Sequence, residues 1–215
     1  MGMFSVAGIR CVVFDVGETL VDESRMWAAM ADSVGAPPFT VMGLLGVFIE
    51  RGEDHRHVWA ALDVATPASV EVGLPDIYPD VMESLQRLRD AGLDVGIAGN
   101  QPRRIAADLR DAGVEADFVG SSADWGVRKP AAGFFEHVVT ASGQPPERIL
   151  YVGDRLDNDV LPARAAGMKT AHIRRGPWGH VHARRPEATL ADLHVDGLWQ
   201  IADMFAPRQG LLSHR

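Results

Sequence analysis

CVVFDVGETLVDE, Cys11 to Glu23, decides how the rest of the chain is read. The run IRCVVF, 9–14, is short, apolar and branched at Cβ, as a buried strand is. It stops at Asp15, and Gly17 marks a turn two residues on. A buried strand that ends in a carboxylate displays that carboxylate at one edge of the fold.

The same strand-length pattern returns down the chain, alternating with helical periodicity. Strands are predicted at 93–98, 116–121, 148–153 and 169–173, with a last edge strand at 188–193. Helices are predicted at 79–92, 102–113, 131–143, 156–167 and 196–205. Pro79 and Gly92 bracket the first of these, and Pro102 and Gly113 the second, the asymmetry helix termini prefer. Strands alternating with helices imply crossovers and a mostly parallel sheet, an α/β Rossmann-like fold. Residues 21–78 break the rhythm: Met-, Trp- and Leu-rich stretches at helical spacing are cut by GAPP at 35–38 and TP at 66–67. They are expected to form a small helical insert after the first strand, leaving 1–20 and 79–215 as the core domain.

Composition narrows the function classes. The 215 residues are 47% hydrophobic and carry a net charge of −8, which argues against general nucleic-acid binding. No run approaches the roughly 20 apolar residues of a membrane span, and the N-terminus, with Arg10 and Asp15 in its apolar region, is a poor signal peptide. Gly2 suits acylation, but position 6 is Val6 rather than Ser or Thr. The single Cys11 excludes an internal disulfide and suits a reducing compartment, so the cytoplasm is the expected location. Oligomeric state leaves no mark in the composition.

In an open parallel sheet, ligands bind at the carboxyl ends of the strands. This chain places Asp15 after the first strand, Gly99 and Asn100 after the second, Lys129 in the RKP loop after the third, and Asp154, Asp157 and Asp159 in GDRLDND after the fourth. Clustered carboxylates repel unless a cation sits among them. Hard oxygen ligands favour Mg²⁺, which keeps water and substrate phosphate in its shell. An aspartate can attack phosphorus to give an aspartyl-phosphate, and phosphoryl transfer needs mainly positioning and charge stabilisation. Each residue alone has a plainer reading as a cap, turn or solvated loop residue; the order and spacing of all four stations together point to a site.

The motifs FDVGETL, YPDVMESLQRLRDAGLDVGIAGN, RKP and YVGDRLDNDVLPARAAGM resemble the haloacid dehalogenase-like hydrolases, over about residues 9–172. The resemblance implies a Rossmann-like core with a helical cap at 21–78, Asp15 as nucleophile, Lys129 as motif lysine, and Mg²⁺ held by Asp15, the Gly17 backbone carbonyl, Asp154 and Asp159. It also implies phosphate contacts at Gly99, Asn100 and Lys129.

Two positions depart from the family's phosphatases. Their first motif is Asp-x-Asp-x-Thr, and here Gly17 stands for the second aspartate, the group that protonates the leaving group and then activates water. Such help is worth about 10²–10⁴-fold. Gly99 stands where the family has Ser or Thr to hold phosphate. Glu18, one residue further along, either replaces the missing acid or, as its position favours, points elsewhere as a solvated turn residue.

The expected activity is a Mg²⁺-dependent phosphatase acting on a small phosphorylated metabolite. The alternative is a degenerate member kept for binding or regulation. The family's dehalogenases also lack the second aspartate, but their last motif is not of the metal-binding acidic type. Its phosphonate-cleaving members need a cap lysine, and 21–78 has none. His55 and His57 are expected on a solvated helix face, HIRRGPWGHVHARRP at 172–186 as an exposed loop, and Arg25, Arg51 and Arg56 on the surface.

Overall fold

The computed structural model describes residues 6–205; Gly2 lies outside them. Six strands form one sheet: β1 (Cys11–Phe14), β2 (Asp94–Gly99), β3 (Phe118–Ser121), β4 (Ile149–Gly153), β5 (Lys169–Ile173) and β6 (Leu193–Val195). All pair in parallel, in the order β3-β2-β1-β4-β5-β6. Chain progression reverses between β1 and β4, so a crevice opens at their carboxyl ends.

A parallel sheet covered on both faces must be apolar on both, and β1 shows how. Val12 and Phe14 join the cluster on one face with Leu85 and Leu88 of α4 (Val81–Asp90), Leu109 of α5 (Ile105–Asp111) and Ile201 of α10 (Leu198–Phe205). Cys11 and Val13 join the other with Phe134 and Phe135 of α7 (Ala132–Ser142) and Ala163 of α8 (Leu161–Ala165), and Trp125 of α6 (Ser122–Trp125) packs against them. The strand's two-residue alternation thus builds a three-layer sandwich. Burial pushes the Cys11 thiol up to about 12, so Cys11 acts as apolar filler.

Between β1 and α4 the chain forms α1 (Ser24–Ser33), α2 (Pro38–Arg51) and α3 (His57–Ala61). Their apolar faces share a cluster in which Trp27 stacks on Trp59 at 5.8 Å. The two connections to the core run side by side: Asp22 N–H donates to Asp76 O, Tyr78 N–H donates to Leu20 O, and Arg25 forks onto both oxygens of Asp76 at 2.6 Å. Arg25, expected free on the surface, is therefore a strap across this junction. Among the described residues no single helix is long and apolar enough to cross a membrane.

Three local expectations need correction. The edge strand predicted at 188–193 lies later: Pro186–Leu190 is a 3₁₀ turn started by its proline, and Leu193–Val195 pairs with β5. The helix predicted at 156–167 begins as a wide π turn, Leu156–Val160, before α8, because Pro162 brings no N–H to the first turn of α8. The basic stretch 172–186 is not an exposed loop. Its centre is α9 (Gly176–His182), which buries Trp178 in the aromatic cluster of the insert, while His182 is 2% exposed and its Nδ1 accepts Leu156 N–H.

Candidate active site

The register of the sheet fixes the floor of the crevice. Phe14 pairs with Ile97 on one side and Val152 on the other, so the residues that follow, Asp15, Ala98 and Gly153, reach the same level. Gly153 must be bare, because a Cβ there would overlap the Asp159 carboxylate. Asp159 enters from the π turn and Lys129 from the loop before α7.

Lys129 Nζ lies 2.6 Å from Asp15 Oδ1 and 2.6 Å from Asp159 Oδ1. Burial alone would favour the neutral amine, but Asp15 and Asp159 outweigh it and hold the Lys129 pKa well above its ordinary value. Asp159 also accepts Arg155 N–H at 3.0 Å. Burial pushes Asp159 up to about 6 against the pull of Lys129. Asp154 is 2% exposed, its Oδ2 has no hydrogen-bond partner, and burial together with Asp159 and Asp15 raises its pKa well above the carboxylate range.

The floor therefore holds three buried carboxylates, with ligand oxygens within 4.8 Å of one another, and one ammonium. Such a set is short of positive charge. The orphaned Asp154 oxygen and the all-oxygen donor set fit a hard divalent cation, Mg²⁺ among them.

The second strand's station is built differently from expectation. Gly99 lies against the nucleophile candidate: a Cβ there would come 2.6 Å from Asp15 Oδ1, so a side chain would have to displace the carboxylate. The Asn100 amide is already engaged, donating to Lys129 O at 3.0 Å and accepting Lys129 N–H at 2.8 Å. Asn100 is thus a clamp that aims Lys129, with one N–H left for a ligand. Asp157 lies outside the cluster, forked onto Arg155.

A cavity of about 170 Å³ opens above the floor, lined by Asp15, Lys129 and Asp154 below and by Glu23, His55 and Arg155 at the wall. His55 packs edge-on against Trp178 at 5.0 Å, and burial, with help from Arg155, lowers its pKa to about 4, so it is neutral near pH 7. It was expected in solvent beside His57; only His57 is exposed. Arg128, at the rim, has no ion-pair partner among the described residues.

Glu18 turns away from the missing acid's place. Held at φ 51°, it accepts Tyr78 O–H at 2.6 Å and Glu23 N–H at 3.1 Å. Glu23 is the residue that sequence reading passed over. Its Oε2 accepts the Trp27 indole N–H at 3.1 Å, and burial, reinforced by the Glu18 charge, pushes its carboxyl up to about 7. No spacing rule marks a residue six positions past a turn glycine as its spatial neighbour.

The model of the haloacid dehalogenase-like hydrolases matches residues 9–167. A glyceraldehyde 3-phosphate phosphatase of Methanopyrus kandleri is 33% identical, over 91% of this chain and 97% of that protein. Phosphoglycolate phosphatase 1 of Pseudomonas aeruginosa is 28% identical, over 88% of this chain and 77% of that protein. Among solved structures, the HAD-hydrolase YfnB of Bacillus subtilis bound to magnesium superposes with a TM-score of 0.71 at 18% identity, over 92% of this chain and 98% of that one. A dehalogenase superposes at 0.69 and 18% identity, over 94% and 99%. These last two show the fold alone.

Proposed function

From the premise that this chain belongs to the haloacid dehalogenase-like hydrolases, and is therefore a hydrolase, we propose that it is a phosphatase working through an aspartyl-phosphate at Asp15. The observation that carries the reading is the buried Asp15–Lys129–Asp159 chain beside the unpartnered Asp154 oxygen. In this reading Asp15 attacks phosphorus with the oxygen not bound to Lys129. Lys129 orients the nucleophile and offsets phosphate charge. Asp159 fixes Lys129 from the other side, and Asn100 fixes its backbone.

Mg²⁺ would be held by Asp15, the Gly17 carbonyl, Asp154 and Asp159, where it would neutralise phosphoryl oxygens as charge shifts among them. Gly99 leaves room for the Asp15 carboxylate, and Lys129 with the remaining Asn100 N–H would contact the phosphate.

The relatives named above are phosphatases of short phosphorylated metabolites. A cavity of about 170 Å³ suits a substrate of that size, and unpaired Arg128 at its rim offers a contact for a second anionic group. We propose residues 21–78 as the cap over this cavity, since His55 and Arg56 line it from above. The lone buried thiol suits a reducing cytoplasm.

The test is phosphate release from phosphoglycolate, glyceraldehyde 3-phosphate and an aryl phosphate, with and without Mg²⁺, in wild type and Asp15→Asn. Mg²⁺-dependent release that Asp15→Asn lowers by about 10⁴-fold or more supports the reading. Substrate binding without Asp15-dependent release replaces it with the binding role, and halide release from a haloacid with the dehalogenase.

A further inference from the structure

Gly17 is not among the residues at positive φ, so its backbone tolerates a side chain. A side chain at 17 and the Glu23 carboxylate compete for one space: a Cβ built on Gly17 would overlap Glu23 Oε1, so Glu23 would have to move for it. The space a side chain at 17 would fill is thus occupied by a carboxylate arriving from the start of the insert.

That carboxylate is held in place. Trp27 N–H binds Oε2, and the Glu23 backbone N–H is tied to Glu18, itself fixed by Tyr78. Gly176 is bare where a Cβ would overlap Glu18, so α9 closes the packing behind it. Oε1 receives no hydrogen bond from the described residues, and Glu23 lines the same cavity as Asp15. The indole holds Oε2, and the free oxygen, Oε1, is the one that lies against the position of the missing acid.

We propose that Glu23 is the proton-transfer residue of this hydrolase, in the place that a side chain at position 17 would otherwise take. The inference rests on the phosphatase reading above. In the first half-reaction an Asp15 oxygen forms a bond to phosphorus, the bond from phosphorus to the substrate oxygen breaks, and that oxygen takes the proton of the Glu23 carboxyl. In the second, the Glu23 carboxylate takes a proton from water as the water oxygen bonds to phosphorus. The Asp15–phosphorus bond breaks, releasing free Asp15, inorganic phosphate and a protonated Glu23.

The test compares Glu23→Gln with wild type on an aryl and an alkyl phosphate. An aryloxide leaves without a proton and an alkoxide does not. Glu23→Gln is therefore expected to lose about 10²-fold or more in alkyl turnover, while the aryl ester gives a burst of one phenolate per active site and then stalls at the phosphoenzyme. Glu23→Ala vacates the space, and adding Gly17→Asp in that background is expected to restore alkyl turnover. Equal loss on both esters, or none, with no burst and no rescue, overturns the role of Glu23. No Asp15-dependent turnover of either ester by wild type overturns the phosphatase reading instead.

Discussion

The floor and the wall of the crevice are built on opposite plans. On the floor, Asp15, Lys129 and Asp159 come from strand ends and adjoining turns, and they satisfy one another at 2.6 Å. On the wall, Glu23, His55 and Trp178 come from the start of the insert, a loop between its helices, and α9, and aromatic packing holds them. The floor's geometry follows from sheet register, which leaves little freedom. The wall's follows from how α9 packs into the aromatic cluster of the insert, so its chemistry depends on packing away from the sheet.

The comparison breaks most severely at Lys129. Lys129→Met leaves Asp15 and Asp159 facing each other in a buried site, and removing one partner of such a pair costs about 3–5 kcal/mol. Urea unfolding at pH 7.5 should show that loss, shrinking toward pH 5 as Asp159, which burial raises to about 6, protonates. A loss that does not change with pH would mean that packing, not charge, holds the floor.

Trp178→Ala attacks the wall. It removes a side chain 7% exposed, in contact with His55, and should cost about 3 kcal/mol. The expected signature is a raised KM with a smaller change in kcat, because the floor is left intact.

Acidification acts with opposite sign on two buried groups, His182 behind the crevice and Asp159 on its floor. Burial lowers the His182 pKa to about 4, below its unfolded value of about 6.5. Its contribution to stability is therefore complete above pH 6.5 and is lost as pH falls toward 4, by on the order of 3 kcal/mol. Burial has the opposite effect on Asp159, whose raised pKa of about 6 favours the folded state below the ordinary carboxylate range and loses that contribution as pH rises through 6. In metal-free protein, His182→Gln should flatten the acid limb of a Tm–pH curve and leave the limb above pH 6 in place.

Arg25→Ala should have the smallest effect. Its side chain is half exposed where it forks onto buried Asp76, which keeps the Gly73 N–H, so the loss is expected to be about 1–2 kcal/mol. Faster proteolysis of the junction, with Tm shifted by a few degrees, is the expected result.

The same division governs what could be read from the sequence. That Asp15, Lys129, Asp154 and Asp159 come together was legible because each follows an apolar run or a compact motif, and a parallel sheet brings strand ends to one edge. The bare positions 17 and 99 were legible as departures but not as fits; only coordinates show Glu23 beside one and Asp15 beside the other. That the Asn100 amide also holds the Lys129 backbone was not legible, because a side chain's hydrogen bonds depend on a loop 29 residues away. The stretch 172–186 looked solvated by its charge. Trp178 and Val181, three apart on α9, outweigh that charge by packing on the insert.

The central claim, that Asp15 carries the phosphoryl group, is most directly tested by chemical trapping. Protein mixed with Mg²⁺ and an aryl phosphate, quenched in acid within one turnover and reduced with borohydride, converts an acyl phosphate to an alcohol that peptide mass spectrometry can place. The account predicts homoserine at position 15 and unmodified aspartate at 154 and 159. Phosphate release with an unreduced Asp15, or with the label at another carboxylate, would contradict it.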